Sequence, residues 1–493
     1  MKKRLLAFLL VALVLIPFAA CANDDTPDIN LPDESTNSPE TTAAPESTGP
    51  VPELPNVRYE NTELVFLSRP ADATHYKERW LDAEDITGDL INDAVWNRNT
   101  YIEEKYGVTI RTVESNKPAD NLSSAAMSND DLYDVMYESF RNTGPATLAG
   151  HLYNIADFGY VNYDNPWWDS NSVEGLSYNG KLYAVICDIS LMTPVGQRGM
   201  VFNRDLVRNY NLEDPYQLVE DDTWTIDKMI ELGTQVSDNL DGNPDNTDAD
   251  RYGFLTDNST GGSSFFLVAG CGVTFLAESE DGLVESFMNE KTISILEKFN
   301  FFATDKETCR DCYDVTPTGD RFVYVQQLFA EDHFLFTVGD AGMFESFNRM
   351  EMKSEYGIVP MPKYDEHQTE YYHYCDTYTT CLSIPSTNST DDIERLSVLL
   401  EDMAYKSSEL VLSAYVDNVI SLRRARVPEL GEMVKLMRSS ICYDLSNLYE
   451  TINYKEILSS AIKNGNPSST FKSQSRLFAR RCKQVTDKLD QLG

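Results

Sequence analysis

The spacing of apolar residues along the chain changes repeatedly between the period of a strand and that of a helix. Short apolar runs at 62–69, 108–114 and 133–139 predict β-strands. Residues 89–107 place apolar side chains three and four positions apart, which predicts a helix that ends at Gly107. The order strand, helix, strand, strand favours a largely parallel sheet covered by helices.

A second series of elements begins with apolar runs at 179–188 and 198–206. A helix over 223–240 follows, and Thr225 is its expected N-terminal cap because a threonine hydroxyl can accept a backbone N–H. Later helices are predicted from Asp391 onward and at the C-terminus, where apolar residues again recur at helical spacing. The whole pattern predicts an α/β fold.

Length and charge narrow the class of protein. A chain of 493 residues is too long to fold around one ordinary hydrophobic core, so two or more cores are expected. The net charge of −38 argues against a nucleic-acid partner, whose phosphates would be repelled. An acidic surface favours solubility and does not by itself identify a ligand.

The N-terminus is predicted to be a secretory signal. A basic start precedes an apolar stretch over 5–20, which is shorter than the ~20 helical residues that cross a bilayer. Ala19 and Ala20 precede Cys21, and this ending resembles a bacterial lipobox, although Phe18 stands where leucine is usual. We therefore expect Cys21 to be lipidated after removal of residues 1–20; the alternative is an ordinary signal peptide with a chance cysteine.

Residues 21–56 are predicted to form a tether. The segment is rich in proline, serine, threonine and acidic residues and contains no aromatic residue, lysine or arginine before residue 56. Such a composition cannot bury enough apolar surface to offset chain ordering, so it is expected to be disordered. Its proline content favours an extended chain, with a reach of up to ~100 Å at ~3.1 Å per residue. A lipidated cysteine followed by this tether would hold a globular body outside a membrane.

Neither the cysteines nor any catalytic motif in the sequence identifies a reaction. Eight cysteines follow Cys21, an even number that permits disulfides without revealing their connectivity. Cys309 and Cys312 form a CxxC motif with no second pair to complete a zinc site, so a local disulfide or two free thiols is the expected state. The chain lacks GxSxG, HExxH and a glycine-rich phosphate loop, and no spacing singles out a carboxylate pair.

Several stretches, in this order, resemble one known family. They are "RNTYIEEKYGVTI", "DVMYES", "GKLYAV", "MVFNRDLVRNYNLEDPYQLVEDDTWTIDKMIEL" and "YGIVPMPKYDEHQTEYY". Together they resemble extracellular solute-binding proteins of family 1, the receptors of bacterial ABC importers, of which maltodextrin-binding proteins are the best-known relatives.

This resemblance implies a periplasmic-binding-protein-like fold with two α/β lobes, crossing strands between them and a ligand in the cleft. It places the first lobe at about 57–180 plus 370–425, and the second at about 181–369 plus 426–493. It also implies an ABC permease as a partner, a location at the outer face of the bacterial cell membrane, and no catalytic cofactor.

Within such a fold, ligands bind beyond the carboxyl ends of strands, where loops diverge. Tyr137 and Glu138 follow the strand core "DVM" and are expected to face that cleft. Trp167 and Trp168 are adjacent, and in a regular strand neighbouring side chains point to opposite faces. One ring is therefore expected in the core, and the other is a candidate platform for a sugar.

Three further ligand-binding candidates lie near expected crossings or strand ends: Asp188, Arg198 and Phe344. The abundance of aromatic residues favours a saccharide over a peptide as the solute, although peptide receptors are also aromatic.

The stretch "DGNPDNTDAD" (241–250) has the composition of a calcium loop. Carboxylate and amide oxygens at alternating positions can converge on one cation. The candidate ligands are Asp241, Asn243, Asp245, Asp248 and Asp250. The loop departs from an EF-hand, since Asn246 stands at the sixth position and Tyr252 at the twelfth, and an acidic turn is the alternative.

Three functions are compatible with the sequence. The leading hypothesis is a lipid-anchored, non-enzymatic substrate-binding component of an ABC importer. Such a protein captures a small solute by closing around it. An anchored carbohydrate-active hydrolase and a non-transport surface receptor are the alternatives. Turnover of a bound saccharide would identify the hydrolase, and binding to a sensor partner would identify the receptor.

Overall fold

The structure is a computed structural model, which describes residues 49–70, 81–191, 198–340, 342–375, 377–416, 429–449 and 453–492. The predicted signal peptide, Cys21 and most of the predicted tether lie outside these ranges. The folded unit extends from Val51 to Gly493. In its described part, no helix combines the length and the apolar character needed to cross a membrane.

Strands and helices alternate through most of the chain. The strands are β1 Thr62–Ser68, β2 Val108–Glu114, β3 Val135–Ser139, β4 Arg198–Asn203, β5 Ser237–Asp238, β6 Arg251–Thr256, β7 Leu276–Ser279, β8 Gly282–Glu285, β9 Cys309–Asp311, β10 Phe334–Asp340, β11 Tyr356–Val359, β12 His373–Tyr374, β13 Thr380–Ser383 and β14 Ile441–Cys442.

The α-helices are α1 Leu90–Tyr106, α2 Pro118–Ser128, α3 Phe140–Leu148, α4 Ser170–Leu176, α5 Arg204–Asn209, α6 Pro215–Glu220, α7 Ile226–Gly233, α8 Gly262–Gly270, α9 Glu290–Lys298, α10 Phe301–Thr304, α11 Arg321–Ala330, α12 Gly342–Arg349, α13 Thr390–Lys406, α14 Glu429–Ser439, α15 Tyr454–Asn464 and α16 Pro467–Leu489. A π-helical turn at Ser407–Leu412 continues α13, and a 3₁₀ turn at Asp490–Leu492 follows α16.

The first sheet has the strand order β13-β3-β1-β2. β1 runs parallel to both β2 and β3, as the sequence predicts, and β13 joins β3 in the antiparallel direction. The predicted apolar run at 179–188 forms isolated bridges instead of a full strand, one of them between Val185 and Leu382 of β13. This run therefore continues the edge of the first sheet.

The second sheet has the order β11-β4-β10-β6-β5, with β9 also paired to β6. β10 and β6 are parallel, whereas β4 runs antiparallel to both of its neighbours. The strands of the first sheet all come from the segments assigned to the first lobe by resemblance, and those of the second sheet come from 181–369. The α/β fold is confirmed, while the exact lobe boundaries stay a prediction.

Local chemistry explains where the helices begin and end. The Asp89 side chain accepts the backbone N–H groups of Ile91 and Asn92 at the start of α1, and Gly107 ends that helix in the left-handed region with φ 71°. Ser389 and Asp392 form a reciprocal capping box on α13. These signals are visible in the sequence, so the predicted bounds are close to the observed ones.

The predicted helix over 223–240 is too long. α7 does begin after Thr225, whose hydroxyl accepts the N–H of Lys228, but it ends at Gly233. The next residues turn so that Ser237 pairs with Tyr252 of β6. A Cβ at Gly233 would lie 2.0 Å from the Phe254 ring, so glycine allows α7 to approach β6 closely. Strand pairing overrides the helical periodicity after this point.

Candidate functional site

Glu138 lies at the carboxyl edge of the first sheet, one residue before β3 gives way to α3. Its side chain is fully buried. Oε1 accepts hydrogen bonds from Arg69 Nε at 2.9 Å and from the Ser139 N–H and hydroxyl at 2.7 and 2.9 Å. Oε2 is buried and accepts no hydrogen bond from the described residues. A buried carboxyl group with one unused oxygen is a costly arrangement unless a further donor reaches it.

The matching edge of the second sheet carries an ion pair. β10 ends at Asp340 beside Arg198, the first residue of β4, and Arg198 Nη1 lies 3.1 Å from Asp340 Oδ2. The Arg198 guanidinium also lies 5.6 Å from the centre of the Phe266 ring in α8. Lys455 Nζ approaches the Phe265 and Phe266 rings at 5.3 and 5.8 Å. This edge therefore combines aromatic faces with fixed charges.

The chain around β12 contacts both sheets. β12 packs against β4 of the second sheet. A few residues later, the carbonyl oxygens of Thr377 and Thr379 accept the N–H groups of Arg141 and Phe140 at 3.0 and 3.1 Å, at the start of α3. Three residues span at most about 11 Å, so Tyr374 and Thr377 link the two sheets over a short distance. The crossing segment therefore connects β4 of the second sheet with the start of α3, two residues after Glu138.

A cavity of about 150 Å³ opens at the crossing. Its walls come from α8, from the crossing segment, from the chain before α15 and from the first turn of α15. The lining residues are Phe265, Thr377, Ser446, Asn453, Tyr454, Lys455 and Glu456. Aromatic rings beside a few convergent polar groups are typical of small-molecule sites. We call this space the first cavity.

The expectation that only one of Trp167 and Trp168 is buried is wrong. Both rings are buried, with 2% and 3% of their surface exposed. They lie in an irregular turn where the alternation of a strand does not apply, and both indole N–H groups point to Glu401 of α13. Trp167 Nε1 lies 3.1 Å from Oε1 and Trp168 Nε1 lies 2.7 Å from Oε2. The pair anchors the turn to α13 and does not form an exposed platform.

Tyr137 and Phe344 also lie in packed surroundings. Tyr137 is 1% exposed, packs against Phe66 and places its hydroxyl 3.1 Å from Cys187 Sγ. Phe344 is 4% exposed and contacts the Tyr356 ring at a centroid distance of 5.3 Å. Both rings support the sheets behind the edges.

Asp188 follows the extended run that borders the first sheet. Its Oδ1 accepts a hydrogen bond from Arg438 Nη2 of α14 at 2.8 Å. Burial raises the pKa of Asp188, an effect that the Arg438 charge opposes. Asp188 and Trp168 line a second cavity of about 390 Å³, which shares no lining residue with the first. The structure thus places Glu138 and Arg198 on strands of different sheets, and brings Asp188 and Trp168 together around the second cavity.

Four of the five candidate calcium ligands at 241–250 already have partners for their side-chain oxygens, and the calcium site stays a prediction. Asp241 accepts the Asn243 N–H and the Thr247 hydroxyl, both at 2.8 Å. Asp250 accepts the Leu240 and Thr247 N–H groups.

The carboxylate of Asp248, another candidate ligand, pairs with an arginine side chain. Arg310 Nη2 lies 2.7 Å from Asp248 Oδ1, and Asn243 Oδ1 accepts the Asp245 N–H at 3.1 Å. In the described ranges, no group of three or more His, Cys, Asp or Glu side chains is placed to hold a metal ion. The loop has the geometry of a self-bonded acidic turn.

The CxxC cysteines are buried thiols that are not joined to each other. Cys309 lies in β9, and Cys312 follows β9, where its N–H is bonded to the Thr256 carbonyl at 2.7 Å. Burial raises the pKa of Cys309 to about 12, so this thiol stays protonated at neutral pH. Of the two expected states, the structure contains the pair of thiols.

Several residues of the candidate site were not singled out from the sequence. Arg69 follows β1 and Asp340 is the last residue of β10, so their position at strand ends is a signal that could have found them. Tyr454 and Lys455 carry no comparable signal, because they reach the first cavity only through the packing of α15 against α8.

Comparisons with known proteins agree on the fold. No protein-family model matches the chain, and no curated protein matches it by sequence. Among solved structures, an ABC transporter solute-binding protein from Thermotoga lettingae, bound to α-D-tagatose, has 12% identity and a TM-score of 0.51, covering 87% of this chain and 100% of its own.

A cyclo/maltodextrin-binding protein in complex with maltotetraose has 14% identity and a TM-score of 0.54, with 87% and 96% of the two chains covered. An ABC substrate-binding protein from Listeria monocytogenes, in complex with cycloalternan, has 12% identity and a TM-score of 0.54, with 85% and 98% covered. The chain therefore has the two-lobed, periplasmic-binding-protein-like fold of ABC transporter solute-binding proteins.

Proposed function

We propose that this protein is the solute-binding component of an ABC importer and that it captures a carbohydrate at the crossing between its two sheets. The observation that carries the proposal is Glu138, a fully buried carboxylate at a strand end whose Oε2 accepts no hydrogen bond from the described part of the chain. Three structural neighbours that share this fold were solved with tagatose, cycloalternan and maltotetraose bound.

The chemistry of the crossing suits a sugar. A hydroxyl can donate to Glu138 Oε2, while the apolar face of a pyranose can rest on aromatic rings such as Phe265 and Tyr454 at the first cavity. No covalent step is required. A solute that touches both sheets stabilises the closed arrangement through its higher affinity for that arrangement.

The remaining parts of the proposal concern attachment and delivery. Cys21 would carry the lipid, and residues 21–56 would let the folded unit move at the outer face of the cell membrane and deliver solute to a permease. The lipobox-like sequence before Cys21 and the composition of the tether support this assignment. Detergent-phase partitioning tests it: Cys21→Ala should move the protein to the aqueous phase or leave it uncleaved, and equal partitioning of both forms would contradict it.

Calorimetric titration with monosaccharides, linear and cyclic oligosaccharides, and peptides tests the solute. At least one saccharide should bind without being consumed, and Glu138→Gln should weaken it by tenfold or more, equivalent to about 1.4 kcal/mol. Lys455→Gln tests the opposite wall, and Glu394→Gln, an exposed change on α13, is the control. Binding of peptides alone would contradict the carbohydrate assignment, and turnover of the saccharide would identify a hydrolase.

A further inference from the structure

The second cavity has two walls that belong to different parts of the fold. One wall is the turn at 163–171 with residues 186–188 and Ser190, and the other is α14 with the chain that follows it at Ile441. The first wall is fixed through Glu401 to α13, which packs against α1 beside the first sheet. α14 packs against β11 of the second sheet.

Three polar contacts connect these walls. Arg438 donates to Asp188 at 2.8 Å, the Asn171 side chain donates to the Ile441 carbonyl at 2.7 Å, and the Tyr443 hydroxyl donates to Asp169 at 3.0 Å. The contacts hold the cavity walls together without filling the space of about 390 Å³ between them.

The acidic side chains that line this cavity lie on the first wall, and the two basic side chains lie on α14. Asp188 is 12% exposed; its Oδ2 is buried and has no hydrogen bond of normal geometry with the described residues, although the Ser408 side chain lies near the carboxylate. Arg438 is 36% exposed, so its guanidinium, which bonds Asp188 through Nη2, also reaches solvent. Lys435 stands one helical turn before Arg438 and is 65% exposed. The buried Asp188 carboxylate is therefore at the inner end of the cavity, and the more exposed Arg438 and Lys435 lie closer to solvent.

We propose that the second cavity binds a free α-amino acid. The ammonium group donates to Asp188 Oδ2, the carboxylate accepts from Arg438 and Lys435, and the side chain contacts Tyr163 and Ile186. An anion without an ammonium group would meet three carboxylates in the lining and a chain of net charge −38. A neutral sugar could donate to Asp188 but has no anionic group for the solvent-exposed part of Arg438 or for Lys435, which pairs with the exposed Glu432 at 3.2 Å. The two opposite charges of an amino acid match both features.

The test is calorimetric titration of the full chain in detergent with each of the twenty amino acids and with glycine betaine. At least one amino acid should bind with a Kd near or below about 1 mM. Glycine betaine should bind at least tenfold more weakly, because its quaternary nitrogen has no N–H to donate.

Variants locate the site. Asp188→Asn should abolish binding, and Lys435→Gln, an exposed change that leaves the Asp188–Arg438 pair in place, should weaken it three- to tenfold. Lys472→Gln, a matched change on the exposed face of α16, should leave it unchanged. No binding up to about 10 mM, equal binding by Lys435→Gln and wild type, or loss of binding in Lys455→Gln alone would each overturn the proposal. Because the first cavity shares none of these residues, failure here leaves the importer assignment intact.

Discussion

Two fully buried glutamates in this protein are bonded in opposite ways. Glu401 receives four hydrogen bonds divided between its oxygens, from Asn165 and Trp167 at Oε1 and from Trp168 and the Asn162 N–H at Oε2. Glu138 receives three, all at Oε1.

The difference separates two roles for a buried charge. A carboxylate whose oxygens are both engaged stabilises its surroundings and has little capacity left for a ligand, whereas an unused oxygen keeps its desolvation penalty until a donor arrives. Residue type and burial alone do not distinguish the two glutamates; the count of donors at each oxygen does.

The largest effect should come from Glu401→Ala. The change leaves two indole N–H groups and an asparagine side chain buried without their acceptor, and each such loss costs about 1–3 kcal/mol. We expect the free energy of unfolding to fall by about 3 kcal/mol or more in chemical denaturation. Glu394→Ala, an exposed change on the same helix, should stay within about 0.5 kcal/mol of wild type. Similar losses of unfolding free energy in both variants would show that Glu401 does not have this structural role.

His373 resembles Glu138, since it is fully buried and its Nε2 has no hydrogen-bond partner among the described residues. Burial lowers the pKa of His373 from 6.5 to about 3. Its contribution to stability is present above pH 6.5 and is lost as the pH falls toward 3, because only the unfolded chain takes up the proton in that window. At pH 5 this loss amounts to about 2 kcal/mol.

Unfolding of wild type and His373→Gln at pH 7 and pH 5 measures this contribution. The variant should lose about 2 kcal/mol less than wild type over that interval, whereas His367→Gln, an exposed change, should keep the wild-type dependence. Equal pH dependence in all three proteins would show that the burial of His373 is not linked to protonation.

The acidic loop at 241–250 resembles Glu401, because most of its side-chain oxygens already accept hydrogen bonds or pair with Arg310. We therefore expect the melting temperature to be the same in calcium and in chelator, as binding to the folded state alone would raise it. Asp241→Ala should lower stability slightly in both conditions through loss of its bonds to Asn243 and Thr247. A drop on chelation that Asp241→Ala removes would restore the calcium site.

Elements that depend on nearby residues were predictable from the sequence. The bounds of β1, α1 and β2 follow from apolar spacing, from Asp89 as a cap and from Gly107 as a stop. The Trp167–Trp168 turn was not, since its partner Glu401 is more than 230 residues away along the chain. Glu138 was found as a strand-end residue, but the free oxygen that gives it a role depends on which donors surround it.

Small-angle scattering of wild type and Glu138→Gln, with and without the saccharide selected by titration, tests the central claim most directly. A solute held between the two sheets should draw them together, so the radius of gyration of wild type should fall at saturation. Glu138→Gln should show no change at the same concentration while melting much closer to wild type than Glu401→Ala does. A radius of gyration that stays constant in saturated wild type, or that falls equally in Glu138→Gln, would contradict capture of a solute at this crossing.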